Sequence, residues 1–416
     1  VFLHVGIAGP FATRDVAALL DDPSAGLPPG YEGAPLLATL ARRFLARGHR
    51  VTAFTLSAGM PLRRDARVVA RGPRFELHYC PCRPRAWPFN GRLPGRIVDL
   101  YAFERRGLQA AMEEARPDVV HAHWSYEFAW AALRSRLPSV VTCHDSPVRI
   151  ARFERDLRHG GYRWLRAGMA WHVLRQARHV TTVSPYMQAE VQPLCRAPLA
   201  VVPNPIDERA FGAGRAPLSA TPRVIMVCNG WGPRKNGAAG LRAFASLARR
   251  RPAAALHFFG HGSEEGGPAQ RWCEGEGLQA GVRFRGAVSH DEVLAEMAAS
   301  DVMLHPALEE SFGAVLAEAM AMGLPVVAGR DSGAVPWLVG DAGVLVDVRE
   351  PEAMAQALHA MLDDPAAMAE FGRRGRARVR ERFSVDAVAA LYEAQYAAAI
   401  AAAPAPPRAR LEDPSW

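Results

Sequence analysis

The chain has 416 residues, 49% apolar and 22% charged, enough to bury a real core and to fill two domains or one very large one. No run of about 18 apolar residues is present, which excludes a membrane-spanning helix. Six scattered cysteines, with no second Cys/His pair beside Cys80 and Cys82, argue against a zinc site and for a reduced, cytoplasmic protein. The formal charge of +8 is uneven. Residues 1–200 carry 28 arginines against 16 carboxylates, and residues 201–416 carry 22 basic against 26 acidic side chains. A basic front half points to an anionic partner there: nucleic acid, lipid headgroups or an acidic small molecule.

The opening VFLHVGIAGPF reads as a buried strand and a turn, without the basic start and cleavage site of a signal peptide. In chain order the front half then predicts a strand at 2–7, a helix at 34–47 closed by Gly48, and a strand at 51–56. A helix at 99–116 and strands at 119–123 and 140–144 follow. The back half repeats this grammar. Strands are expected at 224–228, 255–259, 282–285, 302–305 and 325–328, and helices at 240–250, 291–299, 313–322 and 351–363. Strands alternating with helices of this length make parallel sheets covered on both faces, so the fold class is α/β with two Rossmann-like domains. Ligands of such sheets lie beyond the carboxyl ends of the strands, and two domains can face each other across a cleft.

The boundary is placed in the Pro/Gly/Ala-rich stretch 201–223, which shows no helical or strand period. The expected domains are 1–203 and 204–384. A helix from 385 to about 402 packs back on the front domain, and 403–416 is a loose tail.

Arginine occurs 49 times and lysine once, at Lys235 in the segment GWGPRKNG (230–237). The most telling stretch is HPALEESFGAVLAEAMAMGLPVVAG (305–329). Glu310 stands in the loop before a helix and Glu318 inside it; Ser311 is expected to cap that helix and Gly313 to open it. A helix N-terminus with Ser and Gly offers free N–H groups to a phosphate, and carboxylates beside it accept hydrogen bonds from sugar hydroxyls. Taken alone, the pattern equally describes a surface helix with an acidic first turn.

The run E-S-F-G-x4-E-A-M-A-x-G-L-P-V-V resembles the donor-site signature of retaining glycosyltransferases of family four, the group 1 enzymes with the GT-B fold. The resemblance continues in order. It takes in GYEGAPLLATLARRFLARGHRVTAFT (30–55), PDVVHAHW (117–124), TTVSPYMQAEV (181–191), VVPNPID (201–207), RFRGAVSHDEVLAEMAASDVMLHPALEE (283–310) and DSGAVPWLVGDAGVLVD (331–347). It covers roughly residues 1–385.

The resemblance implies roles. Glu310 would lie by the donor sugar and Glu318 would bind the nucleotide ribose. Phe312 and Gly313 would bring backbone amides to the sugar and diphosphate, with Ser311 beside them. Lys235 would grip the diphosphate, where a compact ammonium meets the charge that grows on the leaving group. The arginine usual five residues before this lysine is replaced by Gly230, so Arg234 is a substitute ligand and Trp231 a cover for the site. Gly33 would let backbone approach the diphosphate or the acceptor. His121 and His123 are expected on opposite faces of their strand, one of them in the cleft. The match selects His123, which holds either the donor sugar or the acceptor, or simply packs on Trp124. His144 and Asp145 are a second pair of acceptor-side candidates, or turn formers, and His261 stands in a loop near the donor.

The implied reaction retains anomeric configuration and uses no cofactor and no essential metal, in keeping with the lack of an Asp-x-Asp element in a loop at a strand end. No nucleophilic carboxylate can be named. The expected donor is a UDP- or GDP-linked sugar. The acceptor is open: a glycan, a small metabolite, or an anionic or lipid-linked sugar. The segment 149–178 interleaves arginines with Phe153, Tyr162, Trp164 and Trp171. It fits a membrane-surface helix, which would place the enzyme on the inner face of the membrane, an anionic acceptor site, or an ordinary helix pair. Nucleic acid is the poorest fit, since no binding fold accompanies it. A dinucleotide-dependent oxidoreductase is disfavoured, because the first turn, GIAGPFATRD, lacks G-x-G-x-x-G. A non-catalytic nucleotide-sugar binder of the same fold could dispense with Lys235 or Glu310, and both are present.

Overall fold

A computed structural model describes residues 2–23, 26–153, 157–212 and 221–403. The expected tail from 404 onward, residues 213–220 of the expected linker and residues 154–156 of the basic segment lie outside the described residues.

Eight strands build the front sheet: β1 (His4–Ala8), β2 (Arg50–Ser57), β3 (Val68–Gly72), β4 (Phe75–Pro81), β5 (Val119–His123), β6 (Ser139–Cys143), β7 (Val180–Thr182) and β8 (Leu199–Val201). Six build the back sheet: β9 (Arg223–Val227), β10 (Ala255–Phe259), β11 (Val282–Gly286), β12 (Val302–His305), β13 (Val326–Gly329) and β14 (Val344–Val346). The orders are β3-β4-β2-β1-β5-β6-β7-β8 and β11-β10-β9-β12-β13-β14. All pairings are parallel except β3 with β4, which runs Ala70 against Leu77. Every residue of β5, β12 and β13 is buried, as expected of strands covered by helices on both faces.

The helices that matter for the site are α1 (Pro35–Ala46), α2 (Ala102–Ala115), α3 (Glu127–Arg134), α4 (Leu157–Leu174), α5 (Gly237–Arg250), α6 (His290–Ala298), α7 (Ala314–Ala321) and α8 (Val385–Ala401). Pro35 sits at the start of α1, where its fixed φ suits a first turn and its missing N–H costs nothing. Ser384 caps α8 by accepting the Ala387 N–H. From there α8 returns to the front half, packing on α1, β5 and β6 and burying Val388, Ala389, Tyr392 and Tyr396 in the front core. Another apolar cluster runs through both halves, from Ala8 and Phe54 to Ile225, Phe312 and Leu316.

Three expectations are corrected here. The segment 201–223 is not featureless: β8 ends at its first residue and Arg209–Gly212 forms one helical turn. The hairpin β3–β4 was not foreseen. It turns through Pro73 and Arg74, and Arg74 has φ 57°, the left-handed geometry a tight turn needs. Ser311 does not cap α7: the residue before that helix is Gly313, at φ 92°, and no side chain caps it. Among the described residues no helix is long and apolar enough to cross a membrane.

Candidate functional site

Setting aside the antiparallel edge strand β3, each sheet reverses its strand order once. In the front sheet this happens at β1, between β2 and β5; in the back sheet at β9, between β10 and β12. A crevice opens at the carboxyl ends on either side of such a point. The loop after β9 carries Arg234 and Lys235, and the loop after β12 carries Glu309 and Glu310. His123 ends β5, and His144 and Asp145 follow β6.

Lys235 and Glu310 meet directly. The Lys235 ammonium lies 2.5 Å from Glu310 Oε1, and His305 Nε2, from the last residue of β12, lies 3.5 Å from the same oxygen. Burial works to raise the Glu310 carboxyl, but His305 and the Lys235 charge overcome it and hold its pKa down at about 2. Arg234 pairs with the neighbouring carboxylate, Glu309, at 3.2 Å. The two cations therefore diverge to adjacent acids. Asn236, at φ 53°, fixes this loop: its side-chain amide donates to Pro306 O at 3.0 Å and Val348 O at 2.8 Å, tying the β9 loop to the loops after β12 and β14. Gly230 takes φ 109° in the turn. Trp231, expected as a cover, lays its indole against Gly237 and its Cβ and backbone against Gly262, with Phe258 and Trp272 nearby. It is a wall of the loop.

Beyond Glu310 the chain turns into α7. Phe312 directs its ring into the core, against Trp337 and Phe383, so only its backbone is available to a ligand. Gly313 needs its left-handed φ, and an added Cβ would stand 3.2 Å from Leu338. The first N–H groups of α7 have no acceptor within the helix. Glu318, one turn in, accepts a hydrogen bond from His290 Nε2 at 2.9 Å. That contact raises the His290 pKa, against burial and the Arg209 charge. His261 is exposed, with its ring 4.0 Å from Glu264. Ser311 offers its carbonyl to the front half, where Ser184 Oγ donates to it at 2.6 Å.

On the front side, His121 and His123 lie on the same face of β5, with ring centroids 3.9 Å apart. The expectation of opposite faces was wrong, because residues two apart on a strand share a face. His121 is taken up by structure: its ring nitrogens meet the Tyr396 hydroxyl of α8 and the Thr142 hydroxyl, both at 2.7 Å. His123 Nδ1 meets His144 Nε2 at 2.8 Å. Burial holds His121 and His123 neutral, and pushes His144 down to about 4 although Asn204 beside it works the other way. His123 Nε2 is buried without a protein partner. Trp124, at the unusual φ of 64°, packs its ring against His144, centroids 4.4 Å apart and planes tilted by 36°.

Next to these residues is a cavity of about 240 Å³ lined by Tyr31, Gly33, Trp124, Tyr126, Asp145 and Arg166, among others. Tyr126 donates to Asp145 at 3.0 Å. Burial raises the Asp145 carboxyl, with the Tyr126 hydroxyl and Arg166 opposing. Arg166 lies 3.7 Å over the Tyr126 ring and 3.1 Å from the buried Glu127. Among the described residues no group of three or more His, Cys, Asp or Glu stands where it could hold a metal ion.

The structure thus places Lys235, Arg234, Glu310, Ser311, Phe312 and Gly313 around one point and His123, Trp124, His144 and Asp145 around another. Glu318 stands apart from Glu310 along α7. His305, His290, Ser184 and Asn236 were missed. His305 had a usable signal, since it ends the strand at the switch point; the others meet their partners only through the fold.

Residues 35–210 match the family described as Glycosyltransferase Family 4, and residues 221–364 the one described as Glycosyl transferases group 1. The chain is 30% identical over 298 residues to a glycogen synthase of Mycobacterium tuberculosis, an overlap covering 68% of this chain and 69% of that one. Its fold is similar to that of a sucrose-phosphate synthase from Thermosynechococcus elongatus, with TM-score 0.71 and 21% identity over 96% of this chain and 99% of the other. It is also similar to the Anabaena protein HepE solved with UDP and glucose, with TM-score 0.65 and 18% identity over 95% and 99% of the two chains. With matches to both halves, two switch-point loops facing one cleft and a relative aligned over most of its length, the chain belongs to glycosyltransferase family 4, the retaining group 1 enzymes of GT-B fold that transfer a sugar from a nucleotide-sugar donor.

Proposed function

We propose that the donor diphosphate is held between Lys235 and the first turn of α7, with Arg234 at its flank and the donor sugar beside Glu310. The observation that carries this reading is the Lys235–Glu310–His305 cluster at the β9/β12 crevice. Glu310 stays ionised and keeps the only ammonium side chain of the protein in place until a diphosphate arrives to share it. As the sugar–diphosphate bond breaks, negative charge grows on the leaving phosphate, where Lys235 and the helix N–H groups stabilise it. The acceptor oxygen bonds to the anomeric carbon on the face the diphosphate leaves, and its proton passes to the departing phosphate oxygen. Glu318 takes the ribose hydroxyls, releasing His290. His123 turns Nε2 to a hydroxyl of the donor sugar, which satisfies its buried nitrogen.

The HepE structure with UDP and glucose supports a uracil base for the donor. The acceptor end sits in the cavity by Trp124, His144 and Asp145, where Gly33 keeps the α1 loop open. Aromatic walls with Asp145, Glu127 and Glu32 against Arg163 and Arg166 suit a polyhydroxylated sugar end better than a strongly anionic one. Trp164 and Trp171, each about half exposed on α4 (53% and 51%), support contact with a membrane surface that would present a lipid-linked acceptor.

The test is turnover of UDP-hexoses, followed by release of UDP. Lys235→Ala is expected to lower kcat by on the order of a hundredfold. Unchanged turnover in that variant would remove Lys235 from the reaction.

A further inference from the structure

A second concave surface lies outside the cleft. Between α2 and the C-terminal end of α3 there is a groove of about 750 Å³, lined by Arg105, Arg106, Arg134 and Arg136. Its volume is in the range of about 300–1,000 Å³ usual for small-molecule sites. It stands at the opposite end of α3 from Glu127, which lines the front cavity.

Four arginines line this groove, and among the described residues none of them is ion-paired. The carboxylates closest to Arg105, Asp99 and Glu104, are both committed to the buried Arg83, at 2.8 and 2.6 Å. The single carboxylate lining the groove, Glu113, is engaged by Gln109 Nε2 at 2.8 Å. Arg105 is held in position rather than loose: its guanidinium lies 3.7 Å over the Trp130 ring and its Nε donates to Leu100 O at 2.8 Å. Burial holds its pKa below the usual arginine range, with Asp99 opposing and the charges of Arg134 and Arg106 adding to it. The backbone around the groove is also unusual. Leu100, Tyr101 and Arg136 all have left-handed φ, at 53°, 62° and 60°, a costly geometry that a fold retains only where the surroundings impose it.

We propose that this groove is a binding site for a phosphate ester, distinct from the donor site. Four arginines against the one lining carboxylate leave an excess of positive charge that repels itself, and an anion that enters relieves it. Guanidinium forks match phosphate oxygens in pairs, which a lone chloride cannot exploit. The phosphate can belong to a free metabolite or to a lipid headgroup; Gln176, two residues past the end of α4, also lines the groove.

The experiment uses the full chain with Lys235→Ala, which weakens binding at the donor site, so that the arginine variants below report on the groove. Calorimetric titration with inorganic phosphate and with glycerol 3-phosphate, in chloride buffer of fixed ionic strength, should give saturable binding at one site per chain. Adding Arg106→Gln and Arg134→Gln, both exposed positions, should weaken it by about tenfold for each guanidinium removed. Arg136→Gln alone serves as a second variant should the double exchange disturb folding. No saturable heat with either probe, or the same isotherm in the arginine variants, overturns the proposal. Co-sedimentation with phosphatidylcholine vesicles, with and without phosphatidylglycerol, separates the sources. Capture by the anionic vesicles alone, lost in the double variant, assigns a headgroup; glycerol 3-phosphate binding without capture assigns a soluble ester.

Discussion

A protein that uses arginine 49 times has its one lysine at Lys235, and on the proposed reading that position serves two partners in turn. Its Nζ reaches Glu310 Oε1 at 2.5 Å in a partly buried pocket beside the Arg234–Glu309 pair, a point contact that suits a compact ammonium better than a wide planar fork. Lys235→Arg should therefore fold with a stability within about 1 kcal/mol of wild type and yet turn over more slowly. Release of nucleoside diphosphate measures this, and equal turnover would mean that only charge matters. Glu310 supplies a pH signature. Its carboxyl is depressed from 4.5 to about 2 in the folded protein, so its contribution is present above 4.5 and is lost as pH falls from there towards 2. The contribution is on the order of 3 kcal/mol at most, given about 1.4 kcal/mol per pKa unit. Urea unfolding of wild type and Glu310→Gln should show a stability gap at neutral pH that closes over that interval. His290 behaves in the opposite sense. Its pKa is raised by Glu318, so the pair's stabilisation is complete below 6.5 and fades as pH rises through the folded value. An NMR titration should find His290 protonating above 6.5 in wild type, and lower in Glu318→Gln.

Elements decide where these residues stand. The eight residues of α7 begin after Gly313 because only a residue at ease at φ 92° lets the chain turn sharply enough to leave Glu310 and the helix N–H groups on one side. Gly313→Ala should cost about 1–2 kcal/mol in denaturant unfolding, from the left-handed φ and the approach to Leu338. In α8, Tyr396 holds His121 across 275 positions of sequence, and Tyr396→Phe would leave the His121 Nδ1 buried and unpaired, at a cost of about 1–3 kcal/mol. The same elements show what a sequence discloses. Strands Val119–His123, Ala255–Phe259 and Val302–His305 were legible to the residue, because a strand buried on both faces is a continuous apolar run ending at its turn. The hairpin 68–81 was not, because β3 is an edge strand with mixed exposure and no strong period. Glu310 and Lys235 were legible as members of motifs. That they touch, that His305 supports them and that Ser184 reaches Ser311 depend on sheet order and on the meeting of the two halves, which no local pattern encodes.

At the scale of the whole molecule, the two halves already meet at one edge of the cleft. Ser184 donates to Ser311, and Tyr186 packs on Gly333 beside the Glu310 backbone, while α8 returns from the back half to complete the front core. A donor held by the back half and an acceptor held by the front half should draw the remaining gap closed, and small-angle scattering should show compaction on addition of a UDP-sugar. The uneven charge also belongs to this scale. Much of the front half's arginine excess is spent on ion pairs and on the α2–α3 groove, away from the sugar cavity. The most direct test of the account is thermal unfolding of wild type, Lys235→Ala and Arg234→Ala across a panel of nucleoside diphosphates. A ligand at about a hundred times its dissociation constant adds roughly 2.7 kcal/mol of stability. The account predicts a clear rise in Tm for wild type with one base, most of it lost in Lys235→Ala and a smaller part in Arg234→Ala. A rise that survives in Lys235→Ala would contradict it.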